Sequence, residues 1–223
     1  MLPSQDDCIK EIKHNVTVYP KPSAIYDFKD EVCQYIPLQL KIKPDSAQNN
    51  FIYKWETGKS QELDDSTNAR PTVRFSEAGN NNNYIRLTIY NKDFEACSTH
   101  LENKTIMVHP VPNGNLAADS TICQKLQGTY KAYDIKDCDS CKLEWFMDNM
   151  KQTQNDSIIT KIWNDDGTKK VKLLLTTRHG CIDSIERIIV VNPKPSTPTQ
   201  YLDTSFVITN QVKPLYIRVE MIH

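Results

Sequence analysis

Two cysteines three positions apart in DCDSC, Cys138 and Cys141, are the densest candidate chemistry in this chain. A C-x-x-C pair can cycle between dithiol and disulfide, supply half of a zinc site, or close on itself as a local bridge. Redox catalysis needs a strand-helix-strand setting, which the flanking residues do not provide. A zinc site needs further ligands, yet there is no second C-x-x-C, and His100, His109 and His179 belong to separate stretches of sequence. The spacing therefore predicts a local disulfide that pins the loop before Trp145, and no metal.

Paired carboxylates are the next candidates. Asp64 with Asp65 and Asp165 with Asp166 could serve glycoside hydrolysis or calcium binding. Both pairs sit in turn-like sequence, where solvated acids are expected. The chain has no G-x-S-x-G, no H-E-x-x-H and no phosphate-binding glycine loop, and its five histidines are scattered. No catalytic residue and no cofactor is expected.

The remaining cysteines are placed by a repeat. CIKEIKHNVTVYPKP near the start and CIDSIERIIVVNPKP near the end share one spacing, with Ile12 and Ile185, Val16 and Ile189, and Val18 and Val191 at equivalent steps. CSTHLENKTIMVHPVP, from Cys97, is a looser third copy. Pro22 to Cys33 and Pro112 to Cys123 each span eleven residues, and Trp55 and Trp145 each follow their cysteine by 22. VRFSEAG then matches KIWNDDG, which sets Trp163 against Phe75, and YIRLTIY matches VKLLLTT. Alternation of apolar and polar residues in these runs predicts strands with one buried face. Turn residues separate the strands in PDSAQNN, SEAGNNNN and WNDDG.

Two full units result, 23–112 and 113–195, with 1–22 read as the terminal strand of a preceding unit and 196–223 as the incomplete start of another. Units of roughly 80 to 90 residues are too long for solenoid repeats and suit small β-sandwiches. The expected fold is all-β, with tandem sandwiches in an elongated array. Cys8 then becomes half of a bridge whose other cysteine lies upstream, which accounts for the odd total of seven cysteines. Phe206 stands where the next unit would carry its first cysteine. The chain reads as a window on a longer array; strand addition between molecules is the alternative.

The order cysteine, tryptophan, glycine turn, alternating strand, cysteine and V-x-P-x-P resembles the polycystic-kidney-disease (PKD) type of Ig-like repeat. Its carriers are YKWETG, FSEAGNNNNYIRLTIYN and HGCIDSIERIIVVNPKP. More narrowly, the pattern is similar to the cysteine-bearing version found in large surface and secreted proteins of Bacteroidota, including gliding-motility adhesins and other type IX secretion cargo. The family's W-D-F-G-D-G is replaced by WETGK and WFMDN, so no calcium role is carried over.

Within this scheme Cys33 is expected to bond Cys97, and Cys123 to bond Cys181, each bridge closing one sandwich. Trp55, Trp145 and Trp163 are expected in the cores; exposed sugar-stacking platforms are the alternative. Bacteroidota O-glycosylate exported proteins at Asp-Ser/Thr followed by an aliphatic residue or Thr. Such sites name Ser46, Ser66, Ser120, Ser157 and Ser184 as candidate acceptors. N-x-S/T sequons at Asn15, Asn103 and Asn155 would matter only in a eukaryotic host.

A net charge of -1, from 27 basic and 28 acidic residues, gives no general attraction for nucleic acid or anionic membranes. No apolar run is long enough for a spanning helix. Residues 1–30 show no secretory signal pattern, so a mature form or internal fragment is expected. The cysteine content favours an oxidising, extracellular or cell-surface location. The expected role is that of a rigid, disulfide-stapled spacer in a surface protein or fibre, with neighbouring repeats as partners. The alternatives are a module that binds surface glycans or proteins, through loops such as Asn80–Asn83 or DCDSC, and an accessory region of a larger secreted enzyme.

Overall fold

The computed structural model describes residues 11–43, 50–58 and 61–195. Cys8, Ser46 and Phe206 lie outside the described residues, as do the first ten residues and 196–223. Among the described residues every regular element is a strand. Around the first core run β1 (Ile25–Tyr26), β2 (Glu31–Cys33), β3 (Leu38–Gln39), β4 (Ile42–Lys43), β5 (Phe51–Thr57), β6 (Gln61–Leu63), β7 (Thr72–Phe75), β8 (Tyr84–Asn91), β9 (Ser98–His100), β10 (Lys104–Thr105) and β11 (Met107–His109). Around the second run β12 (Asn113–Ala117), β13 (Thr121–Cys123), β14 (Gln127–Lys136), β15 (Lys142–Met147), β16 (Met150–Lys151), β17 (Ile158–Ile162), β18 (Gly167–Thr176) and β19 (Ile182–Asn192).

Each core lies between sheets. In the second, the order β12-β14-β17 faces β13-β19-β18-β15-β16. In the first, β10-β8-β5, with β9 also on β8, faces β3-β7-β6, and two short pairs, β1 with β4 and β2 with β11, complete the edges. Period-two burial drives this. Ile85, Leu87 and Ile89 of β8 point into the first core, and Val171, Leu173 and Leu175 of β18 into the second. Trp55 lies across the ladder from Leu87, and Trp145 from Leu173. All three tryptophans are buried.

The repetition extends to single hydrogen bonds. The indole Nε1 of Trp55 donates to the Asn68 carbonyl at 2.9 Å, and that of Trp145 to the Asp156 carbonyl at 2.9 Å. Tyr35 and Lys125 both adopt positive φ, 64° and 66°, each two residues after the cysteine that ends its strand. Their amides donate to the carbonyls of Phe75 and Trp163. Gly79 and Gly167, the last residues of the matched turns, have φ of +98° and +102°, a region glycine enters without steric cost.

One shared feature decides the cysteine chemistry. Strand β2 runs parallel to β11 with Cys33 beside His109, and β13 runs parallel to β19 with Cys123 beside Asn192. The first cysteine of each sandwich therefore lies at the far end of that sandwich's last strand, the end that leads onward along the chain. The second cysteine, Cys97 or Cys181, stands just before the near end of the same stretch.

Candidate functional site

The first sandwich hands over to the second at His109, Pro110, Val111 and Pro112. Prolines fix φ and remove amide donors here, and Pro112 is buried, as Pro22 is at the equivalent position one unit earlier. Onto this crossing folds the turn between β18 and β19. Gly180, with φ of +80°, donates to the Thr177 carbonyl, and the Thr177 hydroxyl accepts from the Cys181 amide at 3.0 Å. Cys181 is thereby buried at the pole of the second sandwich that meets the first.

Its sulfur bonds to Cys33, with the Cα atoms 5.5 Å apart and 148 residues between them in sequence. The bridge thus joins the two sandwiches; neither is closed by a disulfide of its own across Cys33–Cys97 or Cys123–Cys181. Geometry explains the correction. From Cys181 to Asn192, beside Cys123, the chain is one eleven-residue strand, so the two ends stand roughly 35 Å apart at about 3.3 Å per residue. A disulfide tolerates Cα separations only up to about 7 Å. Cys97 and Cys123 are free, half-buried and exposed respectively. Cys138 and Cys141 are bonded to each other.

Around the bridge the seam is polar. The imidazoles of His109 and His179 stack with centroids 3.6 Å apart and an angle of 12°. Nε2 of His109 lies 3.1 Å from Oε2 of Glu31. Arg178 Nε donates to His179 Nε2 at 2.9 Å. His109, Pro110, Thr177, Arg178 and His179 share one cleft with Asp137, Cys138 and Asp139. The histidines that sequence separates are thus brought together. Their meeting depends on contact between sandwiches, for which the repeat register carries no direct signal.

The leading pole of the first sandwich repeats the seam with different side chains. Residues 19–22 dock there: Asn91 Nδ2 donates to the Pro20 carbonyl at 3.1 Å and Thr99 Oγ1 to the Pro22 carbonyl at 2.6 Å. Tyr19 stacks on Phe94, with centroids 5.4 Å apart. The Cys97 sulfur lies 3.9 Å from the Tyr19 carbonyl, and the Cys181 sulfur lies 3.9 Å from the His109 carbonyl. At the opposite pole of the second sandwich, the Gln124 amide donates to the Asn192 carbonyl at 2.8 Å, matching Gln34 with His109. Cys97 and Cys123 therefore stand in the two half-sites that Cys181 and Cys33 fill at the seam.

The other sequence candidates fall elsewhere. Ser66, Ser120, Ser157 and Ser184 are exposed. Asp64 and Asp65 accept backbone amides of their own turn, from Thr72 and Thr67. In the Asn80–Asn83 loop, Asn83 is buried and its amide donates to the carbonyls of Glu77 and Gly79, so that residue holds the loop's shape. Trp163 donates to the Tyr130 hydroxyl at 2.7 Å inside the second core, and Lys161 and Lys169 cover its ring.

No family model matches the chain, and no curated protein matches its sequence. Solved structures do resemble it. The described residues themselves form an all-β fold of two β-sandwiches, each with its own core. The fibronectin(III)-like modules of Clostridium thermocellum CbhA align over 77% of this chain and 95% of theirs, at 11% identity and a TM-score of 0.37. A putative membrane-anchored protein of Corynebacterium diphtheriae aligns over 80% of this chain and 55% of its own, at 13% identity and a TM-score of 0.35. The Ig1-Ig2 pair of Dpr2, solved in complex with DIP-Theta, covers 78% of this chain and all of its own (100%), at 10% identity and a TM-score of 0.40. At these levels the likeness carries no argument about family or activity.

Proposed function

We propose that the chain is a non-catalytic structural region of a secreted or cell-surface protein, in which Ig-like units are stapled to their neighbours to form a stiff spacer. The observation that carries this reading is the Cys33–Cys181 bond between sandwiches. A disulfide inside a domain stabilises that domain alone, whereas one across a junction also fixes the angle between domains. The buried Pro112 and the short crossing from His109 act in the same direction. Disulfides persist in oxidising compartments, which favours a location outside the cytosol.

The repeated half-sites extend the scheme. In an array of this kind the first cysteine of each unit bonds the second cysteine of the next. Cys97 would then take the first cysteine of a unit docked through a Tyr19-like strand end, and Cys123 the second cysteine of a unit following Asn192. The resemblance to cysteine-bearing PKD-type repeats of Bacteroidota surface proteins makes a gliding-type adhesin or another type IX-secreted protein the favoured parent. Exposure of Ser66, Ser120, Ser157 and Ser184 is compatible with O-glycosylation there.

Small-angle scattering on the oxidised chain tests the spacer. Two end-to-end sandwiches, each about as long as an eleven-residue strand, give a maximum dimension of at least roughly 70 Å, with one preferred separation between cores. Reduction of Cys33–Cys181 should broaden that distribution. A compact particle whose profile ignores reduction would refute the proposal.

A further inference from the structure

We propose that the seam binds one divalent transition metal of the zinc type, held by Glu31 and His109 of the first sandwich and His179 of the second. Two imidazoles and one carboxylate form a donor set that zinc, cobalt(II) and nickel(II) favour over calcium or magnesium. One ligand atom from each residue lies within 4.8 Å of the other two. In a tetrahedral zinc site, with bonds of about 2.0 to 2.2 Å, ligand atoms stand roughly 3.3 to 3.5 Å apart. The Glu31–His109 distance of 3.1 Å is already near that value. The remaining closure requires the His179 ring to tilt away from parallel stacking so that its lone pair converges with that of His109. His179 and Glu31 are exposed and have room to turn.

Three further features support the site. Arg178 donates to Nε2 of His179, which marks that nitrogen as carrying the free lone pair a metal needs. The guanidinium must swing aside when the metal enters, and the carboxylates of Asp137 and Asp139 line the same cleft to receive it. Glu31 and His179 each precede a cysteine of the bridge by two residues, so metal and disulfide would cross the seam side by side. Finally, the leading pole of the first sandwich is an internal control. Tyr19 and Phe94 stack there instead, with centroids 5.4 Å apart against 3.6 Å for the histidines, so the equivalent pole has an aromatic contact but no ligand set.

The test uses the full chain in a Cys8→Ser, Cys97→Ser, Cys123→Ser background, which keeps metal off cysteines outside the two bridges. Zinc chloride is titrated by calorimetry after chelator treatment, and cobalt(II) binding is followed by its visible d–d absorption. The expected result is one zinc per chain in the micromolar range, with an intense tetrahedral cobalt band. His109→Ala and His179→Ala should each weaken binding at least about tenfold, and Glu31→Gln should weaken it measurably, with tryptophan emission unchanged as the check on folding. Binding only in the millimolar range would overturn the proposal. So would His179→Ala binding zinc as tightly as the parent, since that would place the metal elsewhere.

Discussion

Replacing Cys33 and Cys181 by serine should destabilise both sandwiches at once, although neither contains the whole bridge. In the chain-entropy account a loop of 148 residues corresponds to about 5 kcal/mol at 25 °C. Consider the steps separately. If only the second sandwich unfolds, the bridge still closes the chain from Pro112 to Cys181, about 70 residues, which penalises that step by about 4 kcal/mol. Unfolding the first alone is penalised by a similar amount. Once one has unfolded, the other meets only the remaining 1 kcal/mol or so, because loop entropy grows logarithmically. The bond therefore suppresses the half-unfolded states and merges two transitions into one. Bridges inside each unit would stabilise both units but leave their transitions independent.

The assay is urea and thermal unfolding of the oxidised chain against the double serine variant, both carrying Cys8→Ser, Cys97→Ser and Cys123→Ser to prevent exchange. Trp55→Phe leaves the emission to Trp145 and Trp163 and so reports the second core alone. Measured effects of disulfides usually fall to about 2 to 4 kcal/mol, so the merged transition, which spans both units, should lose roughly 4 to 16 °C in Tm when the bond is removed. Calorimetry should show the single transition splitting in two. The reasoning is refuted if only one unit loses stability, or if both midpoints hold while the transitions stay separate in parent and variant alike.

Other outcomes follow from the same structure. Tyr130→Phe leaves the buried Trp163 indole without its acceptor and should cost about 1 to 3 kcal/mol in the second sandwich, read as a lower urea midpoint with unchanged slope. The Tyr26 hydroxyl accepts from the Leu87 amide, and burial pushes its pKa up to about 12 from 10.0. The folded first sandwich holds that proton more tightly than the unfolded chain does. Stability from this residue is thus intact below pH 10 and lost as pH rises to about 12. Tyr26→Phe should flatten that part of the pH profile, and an unchanged alkaline slope would count against it. Iodoacetamide applied to the native chain should label Cys123 rapidly and Cys97 more slowly, while Cys33, Cys138, Cys141 and Cys181 stay unlabelled until reduction.

The β-sandwich architecture was legible because period-two alternation in YIRLTIY and VKLLLTT is a local signal that one buried face imposes. The repeat also placed Phe75 and Trp163, and Gly79 and Gly167, at equivalent steps, and the structure gives each pair the same role. The repeat register pairs the cysteines differently from the structure because matching positions along the chain ignores which end of a strand each occupies. The information was present: the run from Cys181 to Asn192 is too long an extended segment for its two ends to meet. The histidine pair was not legible in the same way. His109 and His179 come from different sandwiches and meet at the seam that the Cys33–Cys181 bond also crosses, so their contact has no counterpart in the local pattern of either unit.

The most direct test of the account is the disulfide map. The chain, alkylated without reduction and digested with pepsin under acidic conditions that prevent exchange, should yield the Cys33 peptide linked to the Cys181 peptide, with Cys97 and Cys123 recovered as alkylated thiols. Recovery of Cys33 linked to Cys97 and of Cys123 linked to Cys181 would contradict it.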